Sequence, residues 1–188
     1  MIKKISSWLN NISKTWIMIL TLAVMVLFMI TVLPNQAASA EHTTGSHQSP
    51  DTSFFYSPGD LLQMADEYGE KGREAYIRSR WTFDLLFPLV YVSFMAVGIS
   101  WFIQHLNYPP DWVGYANLLP ILGGLFDYLE NSGTSLLMSL YPDLVPGLPL
   151  FTSIISATKW LLVGGSFLIY FILAFVALYQ WIRDLIEN

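Results

Sequence analysis

Three ionisable side chains stand in stretches of sequence that otherwise carry almost no charge. Asp127 and Glu130 lie in the apolar run 118–138, and Lys159 lies in a second apolar run further on. An ionisable group in the middle of a membrane span costs about 2.5–3.5 kcal/mol on insertion scales, so such groups face the protein interior and carry function or hold helices together. Two carboxylates one helical turn apart repel, so either one takes up a proton or a cation lies between them. Lys159 is the one base inside a predicted span. Paired acids, a lysine and a tyrosine at the same level are the groups that protonation-coupled binding uses.

The spacing says how helices would gather these groups. At about 100° per residue, Pro120, Gly123, Gly124, Asp127, Glu130, Asn131 and Thr134 share one face, while Leu122, Leu125, Leu129 and Leu136 fall mostly elsewhere. Thr152, Ser156, Lys159, Val163, Ser166 and Tyr170 recur at spacings of four and three, which is a second stripe. Asp84, Pro88, Tyr91, Met95 and Gly98 make a third. Counted from the predicted span ends at about 1.5 Å per residue, Tyr91, Glu130 and Lys159 fall at nearly one depth. The candidate site is therefore Asp127, Glu130, Asn131, Lys159, Tyr91 and Asp84, with Thr134 and Ser156 beside them, open toward the outer face. Polar glue between helices is the structural alternative.

Four apolar stretches must position these residues: 16–33, 81–104, 112–141 and 150–181. Each is long enough for a bilayer crossing, and the last is longer than one crossing needs. Trp16, Trp81, Trp101, Trp112, Tyr141 and Trp181 lie at or near their ends, as an aromatic belt does. Pro34 is expected to stop the first span. Ala38-Ser39-Ala40 resembles a signal cleavage site, but the apolar stretch before it is longer than a signal peptide's, which favours a retained anchor. Residues 35–53 hold no aliphatic side chain larger than Ala and read as a flexible linker, dispensable for folding. Phe54, Phe55 and Tyr56 return the chain to the membrane surface. Ser57-Pro58-Gly59-Asp60 then starts a short amphipathic helix with Leu61, Met64, Ala65 and Tyr68 on one face, ended by Gly69 or Gly72.

Composition bounds the function. Of 188 residues 54% are apolar and 12% are charged, against about 25% charged in a soluble domain. The absence of cysteine removes disulfides, thiolate metal sites and thiol chemistry. A net charge of −5 argues against nucleic acid as a partner. His42 and His47 are five apart in a polar segment and His105 lies at a span end, so no metal or other cofactor is expected. Arg73, Arg78 and Arg80 read as a solvated helix face near the headgroups, with a lipid-headgroup contact as the sharper alternative. Lys3, Lys4 and Lys14 before the first span put the N-terminus in the cytoplasm, although four bases among seven acids in 34–80 then lie outside.

The segments 56–58, 72–76, 84–91, 119–120 and 126–131, together with Lys159, resemble a group of small bacterial four-span inner-membrane proteins. The resemblance implies four spans in a bacterial inner membrane and brings no activity with it. The expected fold is an all-α integral membrane protein, a single membrane domain over 1–188. It has four transmembrane helices, both termini cytoplasmic, and a long extracytoplasmic loop containing the short amphipathic helix. The bilayer is its environment, and a membrane-protein partner or self-association is possible. Three functions stay open: binding or transport of a proton, small cation or small ligand at the polar site; an intramembrane enzyme acting on a lipid or lipid-linked substrate; a structural or accessory subunit.

Overall fold

The computed structural model describes residues 1–188 except 45–48, 51–52, 107–110, 144 and 188. Among the described residues the chain is helical throughout, with no strand. Helix α1, Ile2–Ile12, was not anticipated. Its apolar residues Ile2, Ile5, Leu9 and Ile12 recur at three and four, and it buries Ser6 and Leu9 while Lys3 and Lys4 stay exposed. Lys14 is extended, and α2 (Thr15–Leu27) starts after it. That helix is apolar all round and buries no residue, which suits a helix surrounded by lipid.

Pro34 does not stop the first span. A π-helical turn, Phe28–Val32, widens the backbone just before it, and the helix runs on as α3, Leu33–Thr44. A proline lacks the N–H and crowds the carbonyl a turn earlier, and a π turn is one way to absorb the misfit. Side chains add bonds to carbonyls on either side of it: Thr31 Oγ1 donates to the Leu27 carbonyl at 2.7 Å, and Asn35 Nδ2 donates to the Thr31 carbonyl at 2.6 Å. Residues 35–44 are therefore helical rather than a flexible linker. They are held to the next helix where Gln36 Nε2 donates to Ser79 Oγ at 2.7 Å. The linker residues 45–48 and 51–52 lie outside the described residues.

Helix α4, Pro58–Arg80, begins as its sequence dictates: Ser57 accepts from the Asp60 N–H and Asp60 accepts from the Ser57 N–H. Its first helix stops at Gly69, one of the two glycines expected to end it, and a second helix follows directly. Gly69, at φ 60, breaks it into two arms, a backbone state that costs glycine little and other residues more. Tyr68 and Tyr76 meet across the break with ring centroids 5.8 Å apart, and Arg73 donates to the Ala65 carbonyl at 2.8 Å. The first arm is anchored where Tyr141 donates to Asp66 at 2.8 Å, a bond that raises the Tyr141 hydroxyl above its ordinary range.

Helix α5 spans Phe83–His105 with Pro88 inside. The stretch expected as one helix over 112–141 is divided: Asp111–Leu118 is a 3-10 helix, and α6 runs from Leu119 to Leu140. Pro120 stands in the first turn of α6, where its missing N–H breaks no intrahelical bond. Helix α7, Leu148–Glu187, has 40 residues and outruns the expected 150–181, since no glycine or proline follows Trp181 to stop it. By length and composition three stretches can cross a membrane: Thr15–Gln36, the apolar part of Pro58–His105, and Leu148–Glu187. The chain is a helical membrane protein. Helix α6 does not meet that measure, since Asp127, Glu130 and Asn131 dilute its leucines.

Helices α6 and α7 form a hairpin that packs against α5. Small residues let the backbones approach: a Cβ added at Gly123 would meet Val163, at Gly133 Thr152, and at Gly124 Val92. Gly98 is the tightest, because Tyr170 lies directly over it, with its ring 4.8 Å from Phe94 and 5.3 Å from Phe102 between centroids. Leu122, Leu125, Leu129 and Leu136 point outward, while the polar residues of α6 point in. That inverts the arrangement of a soluble protein and suits lipid as solvent. Gly98→Ala should therefore force Tyr170 aside and cost about 1–3 kcal/mol, read as a lower thermal unfolding midpoint in detergent. Gly164→Ala, with nothing near its added carbon, should leave the midpoint unchanged.

Candidate functional site

The three stripes converge. On α6, Pro120, Gly123, Gly124, Glu130, Asn131 and Thr134 are all buried, and Asp127 is partly so. On α7, Thr152, Ser156, Lys159, Val163, Ser166 and Tyr170 are all buried. Because the hairpin is antiparallel, the two stripes meet at one level. Lys159 Nζ forms an ion pair with Glu130 Oε2 and lies 3.8 Å from Asp127 Oδ1. The side chains are 7%, 0% and 15% exposed for Lys159, Glu130 and Asp127, so the ammonium bridges two carboxylates away from solvent.

Each carboxylate also accepts from a tyrosine. Tyr91, on α5 one turn after Pro88, donates to Asp127 Oδ2 at 2.7 Å. Tyr56, just before α4, donates to Glu130 Oε1 at 3.1 Å and lies 3.5 Å from the Thr152 carbonyl. Charge-assisted bonds of this kind are among the stronger ones and hold the carboxylates in fixed orientations. The structure therefore brings together Asp127, Glu130, Lys159 and Tyr91, with Asn131 on the adjoining turn.

Asp84 takes another partner. It pairs with Arg80 at 2.8 Å, one turn earlier across the α4–α5 junction, so a local base compensates its charge. Arg80 is 7% exposed and lies 4.6 Å over the Tyr76 ring, which corrects its reading as a solvated or headgroup-facing residue. Arg73 lies over the Tyr141 ring at 4.9 Å and is partly buried, whereas Arg78 is exposed.

Tyr56 was not picked out from the sequence as a site residue. It is 1% exposed and donates to Glu130 from outside the α5–α7 bundle. It precedes its helix, so no periodicity marks it. A second polar centre was also missed. Asn117 Nδ2 donates to Ser100 Oγ at 2.9 Å, to the Ser6 carbonyl at 3.2 Å and to Asn10 Oδ1 at 3.1 Å, and Ser6 Oγ donates to the Gly114 carbonyl at 2.6 Å. This centre fastens α1 beneath the bundle, at the end opposite the α6–α7 connection.

The ion cluster can hold or exchange a charge. Two carboxylates and one ammonium leave one negative charge over, which a proton or a small cation would neutralise. Compared with protein-family models, curated proteins and solved structures, the chain matches none. Among the described residues no group of three or more His, Asp or Glu side chains is arranged to hold a metal ion.

The geometry predicts strong coupling across the pair. Removing one partner strands a buried charge, a loss that removing the other partner relieves. In a double-mutant cycle on thermal stability with Glu130→Gln, Lys159→Met and both together, the coupling should reach about 1 kcal/mol or more. Additive losses would contradict a direct pair.

Proposed function

We propose that this is a four-span inner-membrane protein whose Asp127–Glu130–Lys159 cluster binds a proton or a small cation, as part of transport or of protonation-coupled binding. The observation that carries it is the charge count at the buried cluster: one lysine set against two carboxylates. Such a site is neutral only when it holds one more positive charge, and a low-dielectric interior favours neutrality. The site's surroundings support reversible occupancy, because Tyr91 and Tyr56 orient the carboxylates whether or not that charge is present.

Helix α6 is the fourth crossing in this reading. Its 22 residues make about 33 Å of helix, enough for one bilayer. It is flanked by α5 and α7, and its leucines face outward. The cluster's depth along α7 then lies within the membrane. An even number of spans returns both termini to one side, the cytoplasmic side by Lys3, Lys4 and Lys14. The first arm of α4 lies along the outer interface with Leu61, Met64, Ala65 and Tyr68 turned to the bundle. The resemblance to small bacterial four-span proteins agrees with this placement.

Infrared difference spectroscopy of the protein in nanodiscs tests the site. A protonated-carboxyl band should change with pH, or carboxylate bands with sodium or potassium, and Asp127→Asn or Glu130→Gln should remove the change. Carboxyl bands insensitive to protons, sodium and potassium in the folded protein would leave a purely structural network. The topology has its own measurement: Ser46→Cys, the sole thiol in the chain, should react with an impermeant maleimide on intact cells. Reaction only after lysis would reverse the orientation.

A further inference from the structure

The ion cluster is not the only polarity inside the bundle. Asn131 is 2% exposed, and neither its amide nitrogen nor its amide oxygen has a hydrogen-bond partner among the described residues. The same holds for the hydroxyls of Ser135 and Ser156, whose residues are 6% and 0% exposed. A buried polar group left without a partner costs about 1–3 kcal/mol, so native interiors supply one from protein, ordered water or a ligand.

These atoms are placed together. Asp127, Asn131 and Ser135 are each four residues apart and make one row on successive turns of α6. The approach of Thr152 to Gly133 and of Val163 to Gly123 sets the register of α7 against α6, and puts Ser156 level with Glu130. The unpartnered atoms of α6 thus begin one turn beyond Asp127 and run about 6 Å, from Asn131 to Ser135, toward the α6–α7 connection. At that end Tyr56 inserts between Glu130 and the Thr152 carbonyl, and Leu61 and Met64 of the first α4 arm share a cluster with Leu137 and Met138. The arm is joined to the rest of α4 at Gly69, its one residue with non-helical backbone.

We propose that Asn131, Ser135 and Ser156 line a hydrated site beside the ion cluster, which admits water and a small hydrated cation, hydronium included, from the side of the α6–α7 connection, with Tyr56 as its plug. Amide and hydroxyl oxygens are suited to a hydrated cation, the amide N–H groups can hold its water, and the net negative cluster beyond disfavours anions. A hydronium that reaches Asp127 gives its proton to a carboxylate oxygen and leaves as water, and the cluster becomes neutral. The site rests on the proton-or-cation reading and supplies the route that reading needs.

The chain has no cysteine, so S135C and S156C each introduce a single, nearly isosteric thiol. The probe is 2-aminoethyl methanethiosulfonate, small, cationic and water-borne, applied to each variant in nanodiscs. L136C, on the outward face next to Ser135, is the lipid-facing control. Thiolates form only where water reaches, so S135C and S156C should react about tenfold faster than L136C or more. Adding Y56F should speed them further by removing the hydroxyl that holds the plug. If both variants fold with the parent's unfolding midpoint and react no faster than L136C, with or without Y56F, the interior is dry and the hydrated site is overturned. That result alongside carboxyl bands that still respond to protons or cations would overturn the hydrated site alone and leave the proposed function standing.

Discussion

A single ammonium in an apolar interior organises this bundle. Lys159 on α7 cannot stay charged there without an anion, and Glu130 on α6 cannot stay charged without a cation. Bringing the two together requires α6 and α7 to pack antiparallel in a register that the lysine's four-carbon stem can span, since Glu130 stands level with Ser156, about one turn from Lys159. The small residues of the hairpin permit that register, since larger side chains at Gly123 and Gly133 would meet Val163 and Thr152. The ion pair is therefore weak evidence for net stability and much better evidence for specificity, since a slipped register leaves charges unpaired.

The second carboxylate makes the cluster more than a clasp. Asp127 lies 3.8 Å from Lys159 and is partly exposed, whereas Glu130 is fully enclosed and bonded by Tyr56. A pair alone would be self-contained. The extra acid sets two carboxylates against one lysine, and Tyr91 ties that acid to α5, so three helices meet at the cluster. Asp84 stands apart from this because Arg80 has already neutralised it at the α4–α5 junction.

The two ends of the bundle are built on different principles. At one end, neutral hydrogen bonds through Asn117 hold α1 against the 3-10 helix and α5. At the other, the α4 arm is held by an apolar patch, the Tyr141–Asp66 bond and the stacking of Arg73 over Tyr141. Between them the Tyr170, Phe94 and Phe102 rings fill the space over Gly98.

The helical class, the inward stripes of α6 and α7 and the pairing of Glu130 with Lys159 were legible from the sequence, because hydrophobic periodicity is a local property, although the register sets Glu130 opposite Ser156 and the long lysine stem makes up the difference. So was the start of α4, where a serine, a proline and an acid satisfy the helix's own N–H groups within four residues. Pro34 misled for the complementary reason: whether a proline ends a helix depends on whether the backbone can absorb the misfit, and here a π turn just before it does so. The helical state of residues 35–44 likewise goes with their packing on α4, whereas the last turns of α7 are exposed and run on because no glycine or proline follows Trp181. Tyr56 meets Glu130 across 74 positions of sequence, Asn117 meets Ser6 across 111, and Arg80 diverts Asp84 at a junction whose angle no propensity sets. Local spacing determined which face of each helix is polar. Only tertiary packing decided which polar groups on those faces share a partner, because a hydrogen bond or ion pair is settled over a few ångströms by chain segments that periodicity cannot relate.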